Sequence, residues 1–218
     1  LKGLRTGRVS LQVAEGVVAG LLAPALAKMG QRYPHLSFDI GIVSASQMVE
    51  ALRRGDADIG LSFFMPRHDD IVPFASAELR HHAVMAPGHP LTAASEVSLH
   101  SLAAHRLILP DESYGVRQAL ERAAHQDGIV LAPTFRTASL ETQKALALNG
   151  AGVLVLPPMA VARECQLGQL VSMPLASSEL EAARVDLCVY RHRQRSFATE
   201  ACLSLLANAL QTLQSPSS

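Results

Sequence analysis

The sequence has no surplus of charge of either sign. Its 218 residues carry 19 Lys and Arg against 19 Asp and Glu, whereas a chain that grips nucleic acid with its own surface usually shows a basic excess. Direct DNA binding by these residues is therefore not expected. Cysteine is scarce and odd in number, at Cys165, Cys188 and Cys202, with no two close enough for a CxxC site. That points to reduced thiols in a cytoplasmic protein, with a redox switch as the alternative. Apolar runs are short, and none reaches the ~18–20 residues of a membrane helix. The opening LKGLRTGRVSLQV lacks the long apolar core of a signal peptide and has no initiator Met, so it is expected to be a beginning in mid-protein.

Signatures of catalysis are missing as well. There is no GxSxG elbow, no Gly-rich phosphate loop and no HExxH. The GAG at 150–152 ends a helix instead of opening one, unlike a dinucleotide fingerprint. His81 and His82 are adjacent, so on a strand they point to opposite faces and cannot chelate one ion together. His89, His100, His105, His125 and His192 have no HxxxH-type partners. No metal, no cofactor and no catalytic residue is expected, and the chain does not read as an enzyme.

What is present is a globular α/β pattern. Hydrophobic residues make up 49% and charged residues only 17%, which excludes a disordered chain. The length suits one large domain or two lobes of about 100 residues each. Residues 8–13, RVSLQV, alternate with Val9, Leu11 and Val13 on one face, the pattern of a strand. Leu21, Leu22, Ala25, Leu26 and Met29 then recur at helical spacing, and Tyr33-Pro34 ends that helix. Pro24 is tolerated only in a first turn, so the regular helix is expected to begin near Leu22 or Ala23. LSFDIGIV (36–43) is a second strand, and Ser44 precedes Gln47 by the spacing of a capping box. The next helix stops at Gly55, a residue suited to the left-handed position after a helix. DIGLSF follows as a strand, and another is expected near LRHHAVMA (79–86). Strand and helix alternate, which predicts parallel strands with right-handed crossovers.

The segment 87–105, rich in Pro, Gly and Ser, reads as a crossing into a second lobe. Strands are expected at 106–109, 134–138, 152–157 and 170–175, with helices at 115–128, 140–150 and a short one around Met159–Glu164. ASSELEAA looks like a linker, RVDLCVYRH (184–192) like a returning strand, and SFATEACLSLLANALQTL like a closing helix before a disordered tail, QSPSS. The expected organisation is lobe I at 1–86 plus 184–218 and an inserted lobe II at 87–183, with a ligand cleft at the carboxyl ends of the strands.

The ordered set GRVSLQVAEG, LLAPALAKMGQRYPHLSFDI, MVEALRRGDADIGLSF, HHAVMAPGHPL and LNGAGVLVLPPMA resembles the effector-binding region of LysR-type transcriptional regulators over essentially the whole chain. The resemblance implies a type 2 periplasmic-binding-protein-like fold, α/β, with two Rossmann-like lobes joined by two crossover strands. It also implies a winged helix-turn-helix and linker helix upstream of these residues, through which alone DNA would be bound. A homodimer or homotetramer and a small-molecule effector in the inter-lobe cleft belong to the same implication, with no membrane partner.

Carried onto this sequence, the first pocket wall is Ala14-Glu15-Gly16-Val17. Glu15 stands where many relatives have Ser or Thr, so it disfavours an acidic effector and suits an amine, unless it is a solvated first-turn residue. The second wall is Ser44, Ala45 and Ser46, where simple N-capping competes with ligand contact. Ser62 and Phe63 end the third strand. The second lobe offers Ser113, Arg136, Thr137, Ser139 and Pro157, while Arg117, in a first helical turn, is expected at the solvent surface. Ala14, Val17, Val18 and Ala45 suggest a compact, partly apolar ligand. Asp56 and Asp58 read as punctuation at the amino edge of a strand, remote from the pocket. The main alternative is an extracytoplasmic solute-binding protein, which shares the two-lobe plan; a bilobal enzyme is a third, for which no acid, base or nucleophile cluster exists.

Overall fold

The structure, a computed structural model, describes residues 6–176 and 183–214. The chain runs β1 (Gly7–Val13), α1 (Ala23–Arg32), β2 (Leu36–Ile42), α2 (Ala45–Arg54), β3 (Ile59–Phe63) and β4 (Ile71–Leu79). It continues through β5 (His82–Met85), α3 (Leu99–Ala103), β6 (Leu107–Leu109), α4 (Gly115–Gln126), β7 (Pro133–Arg136) and α5 (Leu140–Leu148). It closes with β8 (Leu154–Leu156), α6 (Ala162–Gln166), β9 (Val171–Pro174), β10 (Ala183–Tyr190) and α7 (Phe197–Gln214). Two compact units result: Leu1–Leu79 with Arg184–Ser218, and Arg80–Ala183.

In the first unit the strand order is β2-β1-β3-β10-β4. β1 pairs parallel with β2 from Gly7↔Leu36 to Val13↔Ile42, and parallel with β3. β10 runs antiparallel to β3, so the sheet is mixed where the alternation of elements predicts parallel strands. The returning segment enters from the opposite end and needs no crossover helix. Val9, Leu11 and Val13 are fully buried on one face of β1. On the other face Met48 and Leu52 of α2 close over β3, and Gly60 makes room for them: a Cβ there would stand 2.6 Å from the Met48 sulfur. α1 begins at Ala23 with Pro24 in its first turn, after a 3-10 turn at Glu15–Val17 and a wide π turn at Val18–Leu22. The proline has no N–H to give, so the regular ladder starts where that loss is harmless. The capping box at α2 forms as its spacing predicts: Ser44 accepts from the Gln47 amide while Gln47 accepts from the Ser44 amide. Gly55 takes φ 87 to end that helix.

The second unit holds a three-stranded sheet, β8-β5-β9, and a parallel pair, β6-β7. One parallel bridge joins them: Val153 donates to Arg106 O and accepts from the Ile108 amide, both at 2.9 Å. The five strands thus run β7-β6-β8-β5-β9. Two apolar clusters fill the unit, one around Leu99, Leu102, Leu109 and Leu120, the other around Val84, Ile108, Leu154 and Val161.

Two expectations change. The strand expected at 79–86 to complete the first lobe is β5, and it pairs antiparallel with β8 and β9 of the second unit. The first crossing therefore falls after Leu79 and not after residue 86. The fourth strand of the first unit is instead β4, hidden in the sequence by Pro73 and by a burial pattern without alternation; proline is tolerated there because β4 is an edge strand. Most of the linker ASSELEAA (177–182) and the tail at 215–218 lie outside the described residues.

Candidate functional site

In the first unit, three chain segments leave the carboxyl ends of parallel strands side by side. The Val43 amide donates to Val13 O at 3.1 Å, and the Ala14 amide donates to Leu61 O at 2.9 Å. These bonds bring together the ends of β2, β1 and β3, and with them Ala14–Gly16, Ser44–Ser46 and Ser62–Phe63. Because β1 lies between β2 and β3, the chain changes winding direction at the β1/β3 boundary, where open α/β sheets leave a crevice for a ligand.

The residues there are not equivalent. Ala14, Glu15 and Gly16 are half-buried, and Ala14 precedes the 3-10 turn in an extended conformation. Val17 is fully buried and its amide is spent on Ala14 O. Ser44 is buried, and its hydroxyl is committed to Gln47 and to Ser46 Oγ at 3.1 Å; Ser46 is exposed and Ala45 half-buried. Ser62 is 3% exposed, and among the described residues its hydroxyl makes only a long 3.4 Å contact to Phe63 O. Phe63 is buried.

At the opposite edge, Asp58 accepts from the Ser10 amide at 2.9 Å and from Ser10 Oγ at 3.0 Å. It clasps β1 to the entry of β3. Asp56 pairs with exposed Arg54.

In the second unit, the Thr137 amide donates to Leu109 O at 3.2 Å, joining the ends of β7 and β6. Ser139 caps α5 by accepting from the Thr142 amide, and its own amide bonds Thr137 Oγ1. Ser113 is exposed and donates to Asp111 Oδ1 at 2.6 Å, which holds the Asp111 carboxyl below its ordinary pKa. Arg136, the last residue of β7, is exposed. Pro157 is buried and precedes the 3-10 turn at Pro158–Ala160. Arg117 corrects an expectation: it is 3% exposed, bound to Glu121 Oε1 at 2.5 and 2.7 Å and to Pro110 O at 3.4 Å. The carbonyl end of β6 and the i+4 carboxylate together meet the guanidinium, so burial costs it little.

Three residues escape a reading of the sequence alone. Asp186 on β10 is 1% exposed, accepts from Ser76 Oγ of β4 at 2.5 Å and from Arg184 Nε, and stands in register with Ser62. The available signal is a pair of charges at i and i+2 in the otherwise apolar run RVDLCVY. Burial pushes the thiols of Cys188 and Cys202 up to about 12, which opposes thiolate redox chemistry at these two. Among the described residues, no group of three or more His, Cys, Asp or Glu is arranged to hold a metal ion. Among the same residues, no helix is long and apolar enough to cross a membrane.

This fold and these strand ends define a ligand-binding domain of the type 2 periplasmic-binding-protein-like class. The chain belongs to the family described as the LysR substrate binding domain, whose model matches residues 2–211. It is similar to the HTH-type transcriptional regulator CysL of Bacillus subtilis (strain 168), 28% identical over 151 residues, covering 67% of this chain and 50% of that protein. It is also similar to the RuBisCO operon transcriptional regulator of Allochromatium vinosum, 25% identical over 174 residues, covering 79% and 57%. The chain thus spans about half the length of these relatives, which are regulators and not enzymes. Among solved structures, the regulatory domain of Synechocystis PCC6803 CcmR in complex with 2-PG superposes with a TM-score of 0.81 at 18% identity, over 94% of this chain and 98% of that one. The effector binding domain of QuiR in complex with shikimate gives 0.79 at 14% identity, over 95% and 98%. At these identities the structures speak for the fold. The family does not favour the solute-binding alternative.

Proposed function

We propose that this chain is the effector-sensing domain of a cytoplasmic LysR-type transcriptional regulator. It binds a small organic molecule and performs no chemistry on it. DNA contact belongs to a helix-turn-helix upstream, and the sensing domain associates as a dimer or tetramer whose geometry the effector shifts. The ligand acts by its differential affinity for two arrangements of the protein.

The observation that carries this reading is the β2-β1-β3 order, with Ala14–Gly16 and Ser62–Phe63 meeting at the switch between β1 and β3. The effector contacts proposed in this unit are Ala14, Glu15, Gly16, Val17, Ser44, Ala45, Ser46, Ser62 and Phe63; those in the second unit are Ser113, Arg136, Thr137, Ser139 and Pro157. The ligands of the two structural neighbours, shikimate and 2-PG, are small polar organic molecules of the class proposed here.

The test is a thermal-shift screen of small metabolites, with shikimate and 2-PG included, followed by calorimetry. A true effector at a hundredfold its Kd stabilises the folded chain by about 2.7 kcal/mol. Ser62→Ala is expected to weaken that response without moving the ligand-free melting point much. Asp58→Asn is expected to leave the response intact and lower stability by about 1–2 kcal/mol, since it weakens the Ser10 clasp. A screen in which no metabolite shifts the chain, or a reversal of the two variants, overturns the assignment.

A further inference from the structure

Between Ala183 and Val189 every residue of β10 is buried except Arg184. Two residues on sits Asp186, at 1% exposure. An ionised carboxylate so far from water must be paired and hydrogen-bonded. Ser76 Oγ donates to Oδ1 at 2.5 Å, and Arg184 Nε reaches Oδ1 at 2.8 Å and Oδ2 at 3.0 Å. Those contacts satisfy both carboxylate oxygens.

The guanidinium is used differently. It carries five N–H donors in a rigid fork, and the bonds to Asp186 take only the one on Nε. Both Nη groups lack a partner among the described residues, and the side chain is 45% exposed. Were neutralising Asp186 the sole task, the two-pronged approach through the Nη groups would serve it better. Instead Asp186 fixes the arginine at its neck and leaves the fork outward. Its rotamer entropy is spent in advance, which is the condition for tight recognition.

The location is the candidate site. Asp186 is in register with Ser62 and Val185 with Phe63; the Phe64 amide donates to Arg184 O at 3.0 Å. Arg184 therefore stands just past Ser62, at the carboxyl end of β3. Phe64, directly opposite, is held at φ 53. That left-handed conformation is costly for an aromatic residue, and backbone strain of this kind collects at functional sites. Ser62 supplies a buried hydroxyl with one long contact.

We infer that Arg184, held by Asp186, is a specificity-determining residue of the effector site, and that its two Nη groups take an oxyanion of the effector: a carboxylate, a phosphate or a sulfonate. This rests on the reading of the chain as an effector-sensing domain. It sets Arg184 against the expectation of an amine drawn from Glu15, the charged residue of opposite sign on the turn after β1.

The experiment titrates the 218-residue chain with succinate, inorganic phosphate, the neutral isostere succinamide, and putrescine. Melting temperature and the arginine Nε–H and Nη–H NMR signals are followed. Succinate or phosphate is expected to bind at least about tenfold more tightly than succinamide or putrescine, as a charge-assisted bidentate contact requires. The Arg184 signals are expected to move saturably. R184Q alone strands a buried carboxylate, so the decisive variant is R184Q/D186N, which removes both charges; cooperative melting with about a tenfold or greater loss of anion affinity supports the inference. R184K is expected to fall between the two, since it keeps the charge and loses the fork. Equal anion binding by wild type and R184Q/D186N overturns the inference, and so does an absence of anion binding. A chain that binds succinamide or putrescine in preference refutes the role of Arg184 and leaves the effector-sensing reading standing. A chain that no probe and no metabolite stabilises refutes both.

Discussion

In the first unit a strand of reversed direction, β10, lies between β3 and β4; in the second, β5 holds the same place between β8 and β9. Each brings a polar side chain opposite the end of the third parallel strand, and each ties that side chain to a serine on the next strand. In the first unit it is Asp186, facing Ser62 and bonded to Ser76. In the second it is His82, facing Leu156, with Nδ1 3.0 Å from Ser172 Oγ. Burial, and after it the charge of Arg80, lower the His82 pKa, so this side chain is neutral at pH 7. One strand plan thus carries a charged end in one unit and a neutral end in the other. Backbone order sets where a ligand meets the protein; a few side chains set what it must be.

The units also differ in how they are knit. β1 and β2 share seven paired residues, whereas β6 meets β8 through the bridge at Val153. Gly152 sits beside that bridge, and a Cβ there would stand 2.5 Å from Arg106 O, a backbone atom. Gly152→Ala is expected to cost about 3 kcal/mol or more, and Gly60→Ala only about 1 kcal/mol, because the flexible tip of Met48 can yield. Urea midpoints of the two variants check this; equal losses would erase the contrast.

Asp186→Ala is expected to destabilise by about 2–3 kcal/mol, since Ser76 loses its acceptor and Arg184 its partner. His82→Ala, which gives up one hydrogen bond to Ser172, is expected to cost about 1 kcal/mol. Chemical denaturation at pH 7.5 measures both. The caps give a smaller difference. Ser44→Ala removes a buried capping box and is expected to cost about 1.5 kcal/mol, against about 0.5–1 kcal/mol for Ser139→Ala at an exposed cap.

Acid separates the units by the pH at which each loses stability. His82 and His89 of the second unit have pKa values depressed below the ordinary 6.5, in each case mainly by burial. The unfolded chain then takes up their protons first, so stability is expected to fall as pH drops below about 6.5. In the first unit, the hydrogen bonds from Arg53 hold Asp70 at about 2 against an ordinary 3.8. Its contribution is present above 3.8 and lost only as pH approaches 2. Midpoints of the wild type and of H82N/H89N between pH 7.5 and 5 test the first half: the double variant is expected to show the shallower decline.

Much of the fold can be read along the chain. The strand at Val9, Leu11 and Val13, the delayed helix start around Pro24, the Ser44–Gln47 box and the stop at Gly55 each depend on neighbours within a few residues. β4 escapes because Pro73 and its uneven exposure hide the strand period. β5 is legible as a strand and illegible as a member of its sheet, since membership is decided by β8 and β9. The candidate site divides in the same way. Ser44 is legible as a helix cap and Ser62 as part of a strand's carboxyl end, each from its near neighbours. Arg117 is misplaced, because which way a side chain faces in a first helical turn depends on what is packed beneath it.

The sequence by itself carried the family likeness in the order of its motifs, and it determined the alternation of strands and helices and the caps that bound them, because these elements follow from steric and hydrogen-bonding preferences that act within a turn or two of chain. Only the tertiary structure decided that Asp186 meets a serine 110 positions earlier, that it lies against Ser62, and that Arg184 is left with its fork outward. Those facts arise from strand pairing across the length of the chain, where burial selects the partners and no local pattern records them.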